Sequence, residues 1–288
     1  MLRGLYTAAS GMITQQRRHD TITNNIANLN TPGFKGGNTV SRSFPEMLIS
    51  VMGGANPPTG GIGKLTTGVF AEENLPLFTQ GDLQQTYRSQ DLALISDYLV
   101  DGVPFDDSGK FVDANGQVTY KPQAFFAIST PNGEERYTRD GSFKTAPDGT
   151  LITSNGQAVV GANGQPIIVT VPWDRVTVTG DGKLVDKTTG TPLNGNPQLR
   201  IVKVDNPNLL VREGDGQFRY KGDATALTQI AAGERVAVRQ GYLERSNVDP
   251  AQSSADLMAA LRAYEANQKV IQTYDRSLDK AVNEIGRV

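Results

Sequence analysis

From its second residue the chain repeats apolar positions at helical steps, Leu2, Leu5, Ala9 and Met12, and after a polar stretch the stripe resumes at Ile22, Ile26 and Leu29. That spacing predicts an N-terminal helix. It must stop at Asn30-Thr31-Pro32-Gly33-Phe34, where Pro32 and Gly33 suit the central positions of a type II turn, proline presetting φ and glycine accepting φ > 0. At the other end Asp249, Pro250 and Gln252 have the form of an N-cap, a first-turn proline and a capping-box partner. Neither Gly nor Pro occurs from Ala251 to Ile285, so a helix there would reach about 50 Å. Steps of four and three along it select Leu257, Leu261, Tyr264, Gln268, Ile271, Asp275, Leu278, Val282 and Ile285, a mostly apolar heptad seam. The competing reading is an amphipathic helix lying on its own β body, but a helix this long outreaches most small domains.

Between the ends the pattern changes, for residues 36–245 hold 27 of the 31 glycines and 13 of the 15 prolines. Asn-Gly and Asp-Gly pairs begin at Asp101, Asn115, Asn132, Asp140, Asp148, Asn155, Asn163, Asp181, Asn194 and Asp215, and such pairs tolerate the positive φ of tight hairpin turns. The segments between them are strand-length: Arg136–Thr138, Gly149–Thr153, Ala158–Gly161, Ile167–Val171, Val176–Val178, Leu199–Val204, Gln217–Tyr220 and Arg235–Val238. About ten short antiparallel strands follow, as in a sandwich or open barrel. Residues 53–68 read as a flexible or extended connector. The expected fold is therefore mainly β with two terminal α-helices, coiled-coil-forming, flanking a central antiparallel β domain. Its divisions are an N-terminal helix and turn over 1–35, an extended connector over 36–79, a β-rich domain over 80–238 with an insert near 96–123, and a C-terminal extended segment and long helix over 239–288.

Composition then removes most chemistry. The 288 residues carry 28 Lys+Arg against 30 Asp+Glu, a net charge of -2, which leaves no basic footprint for nucleic acid. There is no cysteine for a thiol nucleophile or zinc cluster, and the single histidine, His19, reads as a surface residue in the polar gap of the first helix. No apolar run approaches the roughly 18 residues that cross a bilayer, and no cleaved signal is expected at the start. The Gly60-Gly61-Ile62-Gly63-Lys64 cluster fails as a phosphate loop, since Pro58 stands where its first glycine belongs and Leu65 follows the lysine. Ser154 lacks the glycine of a nucleophile elbow, having Ile152 there instead. The aspartate-rich turns do not extend into calcium loops, and Asp106 with Asp107 reads as a solvated turn. No catalytic, cofactor-binding or metal residue is assigned, and no enzyme is expected.

Three groups of motifs resemble the rod and hook subunits of the bacterial flagellum. At the N-terminus these are Leu5-Tyr6-Thr7-Ala8-Ala9-Ser10-Gly11-Met12, Asn24-Asn25-Ile26-Ala27-Asn28 and Asn30-Thr31-Pro32-Gly33-Phe34-Lys35. In the body they are Gln80-Gly81-Asp82-Leu83-Gln84-Gln85-Thr86 and Tyr137-Thr138-Arg139-Asp140-Gly141-Ser142-Phe143. Near the end stand Gln240-Gly241-Tyr242-Leu243-Glu244-Arg245-Ser246-Asn247-Val248 and Arg262-Ala263-Tyr264-Glu265-Ala266-Asn267. One departure is that Phe125-Phe126 follows Asp91-Leu92-Ala93-Leu94 only after about thirty residues, a stretch whose Gly102, Gly109 and Gly116 turns predict an added hairpin or loop. The resemblance implies a distal-rod subunit or rod-like paralogue that leaves through the flagellar type III export apparatus without membrane insertion. It would polymerise helically with itself, beside neighbouring rod and hook subunits, in a basal body outside the cytoplasmic membrane, with no cofactor. The apolar seams of both terminal helices would be its assembly surface, and Asn24, Asn25, Asn28 and Asn30 would serve helix termination and packing. A hook-type subunit is the nearer alternative; a secreted β-sandwich adhesin with a coiled-coil stalk and a cell-wall hydrolase are more distant ones.

Overall fold

The structure, a computed structural model, describes residues 2–49, 63–96, 103–106, 109–223, 227–230 and 236–285. It is mainly β with a helix at each end, and all the strand pairs whose register is resolved are antiparallel. The chain divides into two compact units: Met1–Ala27 with Gly37–Leu75 and Asp249–Val288, and Asn28–Gly36 with Pro76–Val248.

In the first unit, α1 spans Leu2–Ala27 and α2 spans Pro250–Lys280, followed by one π-helical turn at Ala281–Ile285. The Asp249 carboxylate caps α2, accepting from the Ala251 N–H at 2.7 Å and the Gln252 N–H at 3.1 Å. The reciprocal half of the expected capping box is not made, because the Gln252 amide reaches forward to Asp256 at 3.2 Å. The two helices pack against each other in antiparallel sense: Gly4 lies against Tyr274, Gly11 against Asn267, and Arg18 pairs with Asp256. The terminal helices, whose seams were expected to find partners only between subunits, thus pack against each other within one chain.

Residues 36–79, expected as an extended connector, are extended as paired strands. Gly37–Ser43 pairs with Val69–Pro76, and Met47–Ile49 with Gly63–Leu65; most of the 53–68 stretch lies outside the described residues. This ribbon uses hydroxyls along α1. Thr7 donates to the Thr67 carbonyl at 3.3 Å, Thr14 to that of Val69 at 3.4 Å, and Thr39 to the Thr21 hydroxyl at 2.7 Å. The Asn25 amide clasps Gly37, accepting from its N–H at 2.9 Å and donating to its carbonyl at 2.8 Å.

The second unit is organised by Gln123–Ser129, whose residues are buried on both faces. Ala124, Phe126 and Ile128 join one apolar cluster with Leu92, Leu94, Leu184 and Trp173, while Phe125 and Ala127 join another with Phe78, Tyr137 and Phe218. One edge of this strand takes Glu135–Thr138; the other is shared by Ala158–Val159 and Ile201–Val204. The result is one nine-stranded sheet with core on both faces, onto which two-stranded pairs such as Leu92–Ser96 with Val236–Gln240 pack.

Ile167–Val171 forms no strand. Only Ile168 makes a bridge, to Thr150, while the Ile167 and Val169 amides donate to Val159 and Gly149. Lys110–Val112 and Val118–Tyr120 do form a hairpin around Asn115-Gly116. Asp101-Gly102 lies outside the described residues, and among the described Asx-Gly pairs Asp140-Gly141 is not a positive-φ turn. Glycine is required there because an added Cβ would stand 1.6 Å from the Leu92 carbonyl oxygen, which leaves room for hydrogen alone.

Candidate assembly surfaces

The less exposed positions of α2 include Leu257, Ala260, Tyr264, Asn267, Ile271, Tyr274 and Leu278, a run of three- and four-residue steps that Ala281 continues into the π-helical turn. Half of the anticipated seam is therefore already half-buried in the single chain. The other half, one position further round, is not: Leu261 is 42% exposed and Val282 70%, with Gln268 and Asp275 between them. Small residues explain the choice of face, because Gly4, Gly11 and Ala260 let the helix backbones approach, so that bulkier Leu261 is left on the flank. Along α1, Leu5, Ala9, Met12 and Ile26 are half-buried and Ile22 is buried, whereas Tyr6 and Ile13, seven residues apart, are 67% and 53% exposed. The side chains of Leu2 and Ile285 lie outside the described ones. Leu29 is half-buried in the second unit. His19 is half-exposed beside Asp20, at 3.7 Å. No described helix is long and apolar enough to cross a membrane.

The turn that follows α1 belongs to the second unit and is held there by ions. Pro32 and Gly33 occupy the central positions anticipated, with Gly33 at φ 67° and the Phe34 N–H donating to the Thr31 carbonyl at 3.3 Å. Asn24 is exposed, and Asn28 accepts from the Thr31 hydroxyl at 3.1 Å. Gly33 donates to the Glu244 carbonyl at 2.7 Å, and a Cβ at Gly33 would lie 2.4 Å from the Arg139 carbonyl carbon. Phe34 is buried beneath the Arg212 guanidinium, 4.6 Å from its ring centroid, and the same guanidinium donates to the Lys35 carbonyl.

Lys35 itself is fully buried, its ammonium 2.5 Å from Glu244 Oε1 and 2.8 Å from the Thr79 carbonyl. Glu244 also accepts from the Gly81 N–H at 3.0 Å and stands 3.4 Å from Arg139 Nη1. Arg139 also donates to the Leu94 carbonyl at 3.2 Å, Ser96 Oγ at 2.7 Å and Gln123 Oε1 at 3.0 Å, while its Nε has no partner among the described residues. Burial pushes the Lys35 ammonium down to about 8, the Arg139 charge acts in the same direction, and Glu244 opposes both. Burial pushes the Glu244 carboxyl up, but Arg139, Lys35 and the Gly81 N–H together hold it below its ordinary value. Two cations thus share one carboxylate away from water. Asn247 adds a neutral clasp, accepting from Gly36 at 2.7 Å and donating to the Leu77 carbonyl at 2.8 Å. All four polar residues lie inside the motifs quoted above; their burial is what no spacing rule reveals.

Residues 5–35 match the family described as flagella basal body rod protein, residues 121–186 the flagellar hook protein FlgE/F/G D1 domain, and residues 239–284 the flagellar basal body rod FlgEFG protein C-terminal region. The chain is 38% identical to the flagellar hook-basal body complex protein FlhO of Bacillus subtilis, over 100% of both chains. It is 31% identical to the flagellar basal-body rod protein FlgG of Borreliella burgdorferi, over 98% of each, and 30% identical to the flagellar basal-body rod protein FlgF of Caulobacter vibrioides, over 100% of both.

Proposed function

This chain belongs to the flagellar basal-body rod protein family and is a structural subunit that assembles with neighbouring rod and hook subunits; we propose that it also polymerises helically with itself, in the distal rod. The work is mechanical: the subunit carries torque toward the hook, and no reaction is assigned to it. Export through the flagellar type III apparatus places it outside the cytoplasmic membrane. The observation that carries self-assembly is that apolar side chains of both helices stay in water while the helices are otherwise engaged: Leu261 on α2, Val282 in the π-helical turn after it, and Tyr6 and Ile13 on α1. Burying such a side chain contributes about 1.5–3 kcal/mol, and a helical polymer repeats the gain at every subunit. The coiled-coil contact proposed between subunits is thus made by the flank positions, with the Leu257, Tyr264, Ile271 and Leu278 set facing inward. The test is Leu261→Asp in a strain lacking the wild-type gene: the soluble subunit should fold and be exported, and rods should fail to complete. Normal swimming with the variant incorporated would remove this flank as the assembly surface.

A further inference from the structure

Five Asn-Gly pairs occur in exposed turns, and the structure divides them by which peptide group the turn constrains. In four, at Asn115, Asn132, Asn155 and Asn163, the asparagine is the third residue of the turn and the glycine the fourth. The glycine N–H is itself the closing donor, to the carbonyls of Asp113 at 3.0 Å, Thr130 at 2.9 Å, Thr153 at 3.0 Å and Gly161 at 2.9 Å. Asn194-Gly195 differs. There the Asn196 N–H closes the turn on the Leu193 carbonyl at 2.9 Å, so Asn194 and Gly195 are the two central residues. Gly195 sits at φ 87° and Asn194 keeps a negative φ, which makes this a type II turn. Both residues are exposed, and among the described residues neither the Asn194 side chain nor the Gly195 N–H has a hydrogen-bond partner.

We infer that Asn194 is a site of spontaneous covalent conversion to aspartyl and isoaspartyl residues, ahead of the other four. In that reaction the Gly195 main-chain nitrogen attacks Asn194 Cγ and loses its proton, and the carboxamide C–N bond breaks with departure of ammonia, leaving a five-membered imide. Water then opens the imide at either carbonyl. The attack requires the Asn–Gly peptide plane to swing until its nitrogen faces Cγ. At Asn194 that plane is the central one of the turn, and types I and II differ by its rotation, so it can swing while the Leu193–Asn196 hydrogen bond persists. At the other four sites the reacting nitrogen must first release the bond that closes its turn. The Gln165 N–H, donating to Asn163 Oδ1 at 3.1 Å, restrains that side chain as well. The product adds a negative charge at this turn and, in the isoaspartyl form, a main-chain methylene.

The test is to hold the purified full-length chain in mildly alkaline buffer and follow all five sites by peptide mapping with isoaspartate-sensitive fragmentation. Asn194 should convert between about twofold and tenfold faster than each of the others, the range set by the net worth of one hydrogen bond. In urea, with the turns removed, the five rates should converge. Asn194→Gln should silence the peptide without altering the rest, since the neighbouring Asn196 precedes Pro197, whose nitrogen has no proton to lose. Equal or faster conversion at any hydrogen-bonded site in the folded chain, or an Asn194 lead that survives in urea, overturns the inference.

Discussion

Replacing Glu244 by glutamine keeps its shape and its bond from the Gly81 N–H but removes the only carboxylate facing two buried cations. Lys35 and Glu244 are both 0% exposed at 2.5 Å, and Arg139 is equally buried at 3.4 Å, so no solvent screens the loss. Removing one partner of a buried pair costs about 3–5 kcal/mol. Glu244→Gln should therefore destabilise the second unit by about 3–5 kcal/mol, a large part of the stability of an ordinary domain. Lys35→Met should cost far less, because Arg139 and Gly81 still satisfy Glu244 and one desolvated cation is gone.

The pH dependence has a definite sign. Lys35 falls from 10.5 to about 8 on folding, so its penalty is full below about pH 8 and fades as pH rises toward 10.5. Glu244 is lowered from 4.5, so its contribution is present above that value and is lost as acid titrates the folded carboxyl. The gap between wild type and Glu244→Gln should be widest just above the range in which Glu244 titrates, narrow in acid as that carboxyl is protonated, and narrow as pH rises toward 8, because without the carboxylate Lys35 gives up its proton at lower pH in the variant. Urea unfolding followed through Trp173 is a direct assay. This is the single tryptophan of the chain, and it is buried in the second unit with its indole N–H 2.6 Å from Thr145 Oγ1. Equal midpoints for wild type and Glu244→Gln, or a Lys35→Met loss as large, would refute the assignment of one shared counterion.

Other outcomes follow from the same geometry. Ile271→Asp, on the inward side of α2, should loosen the helix pair in the soluble chain and shorten its lifetime under limited proteolysis, whereas Leu261→Asp should leave that lifetime unchanged. Gly33→Ala combines positive φ with a Cβ 2.4 Å from main chain, and should lower the Trp173 urea midpoint by the equivalent of at least about 1–3 kcal/mol. Gly11→Leu should separate the helices, since even a Cβ there reaches 3.1 Å from the Asn267 amide; reduced helicity by circular dichroism is the readout.

Legibility of the fold from residues depended on the range of the interaction. Asp249-Pro250 marked the start of α2 and Pro32-Gly33 the turn after α1, because capping and turn chemistry act over a few positions. The organising strand Gln123–Ser129 was not among the expected segments: alternation places one ring of Phe125-Phe126 on each face, and a strand buried on both sides has no polar face to betray it. The heptad arithmetic found Leu257, Tyr264, Ile271 and Leu278 but chose Leu261 over Ala260 for the companion row, since hydrophobicity ranks leucine higher while close packing prefers the smaller side chain. The stripe of α1 passed over Thr7, Thr14 and Thr21, whose role is to bond a ribbon that apolar periodicity does not register. Lys35 and Glu244 are 209 residues apart, and only folding makes them neighbours.

Whether exposed apolar positions of the helix pair such as Leu261 become an interface in the rod is directly measurable, because the chain has no native cysteine. A Leu261→Cys subunit, introduced as the sole copy, is labelled with a maleimide both as soluble chain and within isolated basal bodies. The account predicts rapid labelling of the soluble chain, where this position is 42% exposed, and strong protection in the basal body. Equal labelling in both, with the subunit present in the isolated structures, would contradict it.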